Sequence, residues 1–126
     1  MNIIISNSSD TPIYSQIAEG IQKSIISGKL TEGDSLPSIR ALAKELSVSV
    51  ITTKKAYEVL ETQGYIKTQP GKGSVVSARS SSLAREHRIS ELEQHLLAAA
   101  DIARELGIGA EELAETAKAL YLEDLG

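Results

Sequence analysis

Two residues, Ser47 and Val48, are all that separate one helical segment from the cap of the next. No other feature restricts the fold of this chain so tightly. Upstream, a short segment from about Pro37 to Leu46 places Ile39, Leu42, Ala43 and Leu46 on one side. Downstream, Ser49 is suited to N-cap a helix, because its hydroxyl can accept from an orphan amide of the first turn. Gly64 suits the stop, since it tolerates the left-handed conformation just past a helix. At about 100° per residue, Thr53, Ala56, Tyr57 and Leu60 form an inward stripe, and Ile51, Lys54, Lys55 and Glu58 face the other way. Helices joined this closely must cross at a steep angle, which predicts a helix-turn-helix.

The flanking segments extend that unit. In "SDTPIYSQIAEGIQKSIISGKL", Asp10 or Thr11 can cap, Pro12 suits the first helical position, and Ile13, Ile17, Ile21 and Ile25 recur every four residues as a buried stripe. Gly28 ends this helix, a turn follows at Gly33-Asp34, and Pro37 forces Leu36 to be extended. Beyond Gly64, residues 65–68 and 74–77 read as strands of a hairpin around Pro70-Gly71-Lys72-Gly73. A hairpin directly after a helix-turn-helix is a wing, here with a Gly-rich, basic tip.

Residues 80–126 read differently. "RSSSLAREH" has the Ser-rich composition of a hinge. After it, Ile89, Leu92, Leu96, Ala99, Ala103 and Leu106 repeat at alternating spacings of 3 and 4, a heptad-like seam. Gly107 and Gly109 break the helix, and a second, acidic helix carries Leu113, Ala117, Leu120 and Leu125. Two helices in about forty residues bury too little to stand alone, and a second copy of the chain is the simplest partner. The expected architecture is mainly α with a small β wing: a winged helix-turn-helix domain over 1–79 and a helical dimerisation tail over 80–126.

Charge follows the same division. Residues 1–79 hold nine Lys/Arg against seven Asp/Glu, a net of +2, whereas residues 80–126 hold four against ten, a net of −6. The net charge of −4 therefore conceals a basic part suited to an anion and an acidic part suited to something else. No apolar run approaches a membrane span, "MNIII" lacks the features of a secretory signal, and the absence of cysteine excludes disulfides and thiolate metal sites. A cytoplasmic protein without a cofactor is expected.

The anion that fits the helix from about 49 to 63 is duplex DNA. Its phosphates attract Lys54 and Lys55, and its major groove displays the thymine methyl group, a contact for Ile51 and Val50. The alternative is that Val50 and Ile51 pack on the first helix beside solvated lysines. Ser38 and Arg40, in "LPSIR", stand at a helix start suited to phosphate; Arg40 can instead pair with Asp34 or Glu45, an exposed contact of little worth. Gly71 and Lys72 can bring the wing, about 69–75, close to a groove; the alternative for both is a plain turn, and for Gly73 that is the stronger reading.

The segment "PIYSQIAEGIQKSIISGKLTEGDSLPSIRALAKELSVSVITTKKAYEVLETQGYIKTQPGKGSVV" resembles the winged helix-turn-helix of the GntR family of bacterial transcription regulators over about residues 11–77. The run G-x-L-x-x-G-D-x-L-P-S-x-R, the V-S turn, the A-Y-x-x-L-E-x-x-G helix end and the G-x-G wing occur in order. The short two-helix tail resembles that of the YtrA-type subgroup, where it serves dimerisation. The resemblance implies DNA contacts by Arg40, by Ser49, Val50, Ile51, Thr52 and Lys54, and by Gly71 with Lys72. Two positions depart from the pattern. Val50 stands where many relatives have an arginine, and Thr53 where an apolar residue is usual. Loss of that arginine removes a guanine contact and favours A·T pairs opposite Ile51.

A homodimeric repressor on a palindromic double-stranded operator, responsive to a small-molecule effector if one is bound between copies or between tail and winged domain, is the leading expectation. An enzyme would have to use His87 and His95, eight apart with Glu91 midway, as a metal face. A winged helix can also serve as a protein-protein interaction module, a role disfavoured by Arg40, Lys54, Lys55 and Lys72. The segment "NIIIS" reads either as an edge strand or as an arm packing on the second subunit.

Overall fold

A computed structural model describes residues 1–124; Leu125, assigned above to the last helix, lies outside them. The elements in chain order are α1 (Ile13–Ile26), α2 (Ile39–Leu46), α3 (Val50–Gln63), β1 (Ile66–Gln69), β2 (Gly73–Val76), α4 (Ser80–Glu105) and α5 (Ala110–Asp124). This is a mainly helical chain with one two-stranded antiparallel sheet among the described residues. It divides into two compact units, Met1–His87 and the residues from Arg88 on.

The core of the first unit is built from the predicted stripes. Ile17, Ile21 and Ile25 of α1, Leu42 of α2, and Ala56, Tyr57 and Leu60 of α3 are all buried, joined by Leu36, Tyr65, Ile66 and Val76. Each of the large aliphatic side chains contributes about 1.5–3 kcal/mol by leaving water. Ser38 caps α2 by accepting from the Ala41 amide, and Ser49 caps α3 by accepting from the Thr52 amide. Between them Ser47 adopts the left-handed conformation (φ 56°), so that the Val48 amide can donate back to the Ala43 carbonyl at 3.0 Å. That turn ends α2 and redirects the chain into the cap of α3.

In the wing, Ile66 pairs with Val76 and Gln69 with Gly73. The strands thus sit one residue from their expected positions. The Lys72 amide donates to the Gln69 carbonyl at 2.9 Å, and Gly71 takes φ +79°. With Pro70 before it, this tip is a type II turn, whose third position requires positive φ. The segment before α2 adds a further line of pairing on β2: the Gly33 amide donates to Val76, the Val76 amide to Asp34 and the Leu36 amide to Ser74, each at 2.9 Å.

Three expectations are corrected. Neither Asp10 nor Thr11 caps α1; Pro12 occupies the cap position without a side-chain bond. The Gln16 side chain instead closes this end, donating to the Ser6 and Thr11 carbonyls at 3.0 and 2.9 Å and accepting from the Ser6 amide at 2.8 Å. The N-terminal arm forms no strand, and its Ile3 and Ile5 pack on the core of their own chain, Ile3 against Gly20 of α1. The Ser-rich stretch is no hinge but the start of α4. Ser80 is buried, the Leu83 amide donates to the Arg79 carbonyl at 3.0 Å, and Leu83 packs against the core. Residue 79, the expected domain limit, therefore lies inside the first compact unit.

In the second unit α4 ends at Glu105 and Gly107 turns the chain just past it (φ +73°), with the Ile108 amide donating to the Ala103 carbonyl at 2.8 Å. Of the seam residues Ala103 is buried, and Ala99 and Leu113 are partly covered. Ile89, Leu92, Leu96, Leu106 and Leu120 are exposed, as are Leu97, Ile102, Tyr121 and Leu122.

Candidate nucleic-acid interface

The helix-turn-helix sets two surfaces side by side in sequence. The first is the outward face of α3. Val50 and Ile51 are 39% and 81% exposed, so Ile51 does not pack on α1. Lys54 is also exposed. Lys55, one residue on, is directed differently: its Nζ lies 4.1 Å from the centroid of the Tyr14 ring on α1, a cation–π geometry that ties α3 to α1. The hydroxyl of Ser49 donates to Thr52 Oγ1 at 2.7 Å while accepting from the Thr52 amide at 3.0 Å. The polar groups at the helix tip are thus largely turned onto the helix itself.

The second surface lies between the start of α2 and the wing. Ser38, Arg40 and Lys72 line one hollow of about 320 Å³, with Leu36, Pro37 and Tyr57 beneath. Lys72 is more than thirty residues from Ser38 and Arg40 in sequence, and the pairing of residues 33–36 on β2 is what brings them together. Arg40 makes no ion pair with either candidate, Asp34 or Glu45, among the described residues; Asp34 accepts instead from the Thr31 amide at 2.8 Å. A helix start and two cations around an open hollow suit a phosphate. Gly71 stands at the exposed wing tip, where positive φ lets the backbone turn without a side chain in the way.

Sequence reasoning placed Tyr57 only in the core stripe. The structure gives it a second task. Its hydroxyl donates to the Pro37 carbonyl at 2.6 Å, holding the start of α2 against α3, and burial pushes its pKa up to about 12. The available signal was chemical: a buried tyrosine needs a partner for its hydroxyl. Tyr14 likewise carried no sequence signal for its role beneath Lys55.

His87 and His95 both lie on α4. No group of three or more His, Cys, Asp or Glu able to hold a metal occurs among the described residues, and Glu91 is bonded to Arg88 at 2.7 Å. No helix among them is long and apolar enough to cross a membrane.

A family model, that of the bacterial regulatory proteins of the gntR family, matches residues 13–76, from the start of α1 to the end of the wing. The chain belongs to the GntR family. The HTH-type transcriptional repressor YtrA of Bacillus subtilis is 32% identical over 98% of this chain and 95% of its own length, so the likeness includes the tail. Among solved structures, a transcriptional regulator from Oenococcus oeni superimposes with a TM-score of 0.79 at 25% identity, covering 93% of this chain and 97% of that one. The DNA-binding domain of AraR in complex with operator ORR3 matches with a TM-score of 0.52 at 27% identity, over 61% of this chain and 93% of that domain. As a GntR-family member the protein is a DNA-binding transcriptional regulator.

Proposed function

We propose that this GntR regulator acts in the cytoplasm as a homodimeric repressor, seating α3 of each protomer in the major groove of an inverted-repeat operator. The observation that carries the reading is the convergence of Ser38, Arg40 and Lys72 around one hollow, joined through a three-residue turn to a helix whose exposed face holds Ile51 and Lys54. Phosphates would meet Arg40, Lys72 and Lys54, and bases the tip of α3. The B. subtilis relative, a repressor by name and alike along the whole chain, supports the direction of control.

A second copy is the partner assigned to the tail. Leu92 and Leu96 on α4 and Leu106 just past its end are each more than half exposed, and a row of apolar side chains at heptad spacing is covered most simply by an identical row. Two-fold symmetry would then repeat the half-sites about one helical turn of DNA, or a multiple of it, apart.

Fluorescence anisotropy with duplex DNA selected from a random pool, at several salt concentrations, tests the reading. Three cations per protomer give six phosphate contacts per dimer, and a slope of about −5 in log affinity against log salt. Arg40→Ala and Lys54→Ala should each weaken binding and reduce that slope by about 2 per dimer, one contact per protomer. A flat salt response, or binding indifferent to both substitutions, would sink the reading and turn attention to protein partners.

A further inference from the structure

We infer that Ile51 reads the 5-methyl group of thymine, so that the regulator selects an A·T pair at the step facing the second residue of α3. The inference rests on the DNA-binding reading above and assigns its specificity to one side chain. Ile51 is 81% exposed on the same face as Lys54, at the end of α3 that a helix-turn-helix presents to base edges. An isoleucine so placed contributes nothing to its own core.

The neighbouring side chains leave it this task. Residues 50–57 contain no Arg, Asn or Gln, the side chains that read guanine or adenine through paired hydrogen bonds. Thr53 is buried, its hydroxyl donating to the Ser49 carbonyl at 3.1 Å. Partly buried Thr52 is held by the Ser49 hydroxyl, and Lys55 lies over Tyr14. What remains outward is Val50, Ile51 and Lys54. Lys54 is a point charge, suited to a phosphate or to guanine oxygen. Ile51 has no hydrogen-bonding atom beyond its backbone, so against the major-groove edge of guanine, cytosine or adenine it would strip water from polar atoms and replace nothing. Thymine alone offers a methyl group there. The same side chain therefore favours one base and disfavours the others.

The test uses the full-length protein and the duplex recovered by selection from a random pool. Each thymine of a half-site is replaced in turn by deoxyuridine, which keeps every polar group and lacks only the methyl. One position should weaken binding roughly fourfold, the effect of burying one such group, and the same replacement should be without effect on Ile51→Ala, a change at an exposed site that leaves the fold intact. Tight, salt-sensitive binding that tolerates deoxyuridine everywhere would overturn the inference and leave the DNA-binding reading standing. Equal sensitivity in wild type and Ile51→Ala would also overturn it, by assigning the methyl to another residue. Failure to bind any duplex would remove both.

Discussion

Tyr57 shows how one residue can serve the core and the interface together. Its ring is 4% exposed in the inward stripe of α3, while its hydroxyl holds the Pro37 carbonyl at the head of α2. Tyr57→Phe keeps the ring and leaves that carbonyl without its donor, at a cost of about 1–2 kcal/mol, which thermal melting would register as a drop of several degrees. The pH dependence has a definite sign. Because burial raises the folded-state pKa to about 12 from the ordinary tyrosine value of 10.0, the folded protein holds this proton more tightly than the unfolded chain. The contribution to stability is complete below pH 10 and is lost as pH rises from 10 toward 12. Urea unfolding at pH 9 and pH 11 should show a smaller loss of stability in Tyr57→Phe than in wild type; equal losses would mean that Tyr57 does not govern the alkaline limb.

At the scale of elements, the N-terminal arm depends on α1 for its place. Three bonds from the Gln16 side chain fix Ser6 and Thr11, and Ile3 fills the space that a glycine leaves open. A Cβ at Gly20 would come within 2.9 Å of Ile3 Cγ1. Gly20→Ala therefore sets two effects against each other. Helix α1 gains about 1 kcal/mol in propensity, and the arm loses its seat. Hydrogen exchange at the Ser6 amide should accelerate while the melting temperature changes by no more than a few degrees; unchanged protection would show that the Gln16 clasp holds the arm without Ile3. The Ser80–Ser82 stretch teaches the complementary lesson. Serine is a poor helix former in isolation, yet Ser80 is 3% exposed and Leu83 reaches the core, so packing overrides the local preference.

For the molecule as a whole, the proposed homodimer would couple two weak DNA-binding units. Their net charge is small, +2 over residues 1–79, and a single α3 and wing offer few contacts. Linking two of them multiplies affinity by about 10²–10⁴ without any new contact. Leu96, 53% exposed in the tail seam, is the place to break that link. Leu96→Asp should sediment as a monomer at micromolar concentration, keep its helical content, and bind the full operator at least about a hundredfold more weakly. A dimer unaffected by this charge would show that the seam is not the interface.

The stripes of α1, α2 and α3, the cap Ser49, the stop at Gly64 and the basic hairpin were all legible in the sequence, because each is set by residues within a turn or two of one another. The outward direction of Ile51 could also be read from its spacing. Other features were decided only by tertiary structure. Lys55 lies over Tyr14, Tyr57 bonds Pro37 twenty residues away, residues 33–36 pair on β2, and Ser80 begins a helix instead of a hinge. Each of these joins groups distant along the chain, and local preference carries no record of which distant groups will meet. Periodicity names the face a side chain occupies; only the packed core determines what lies against it.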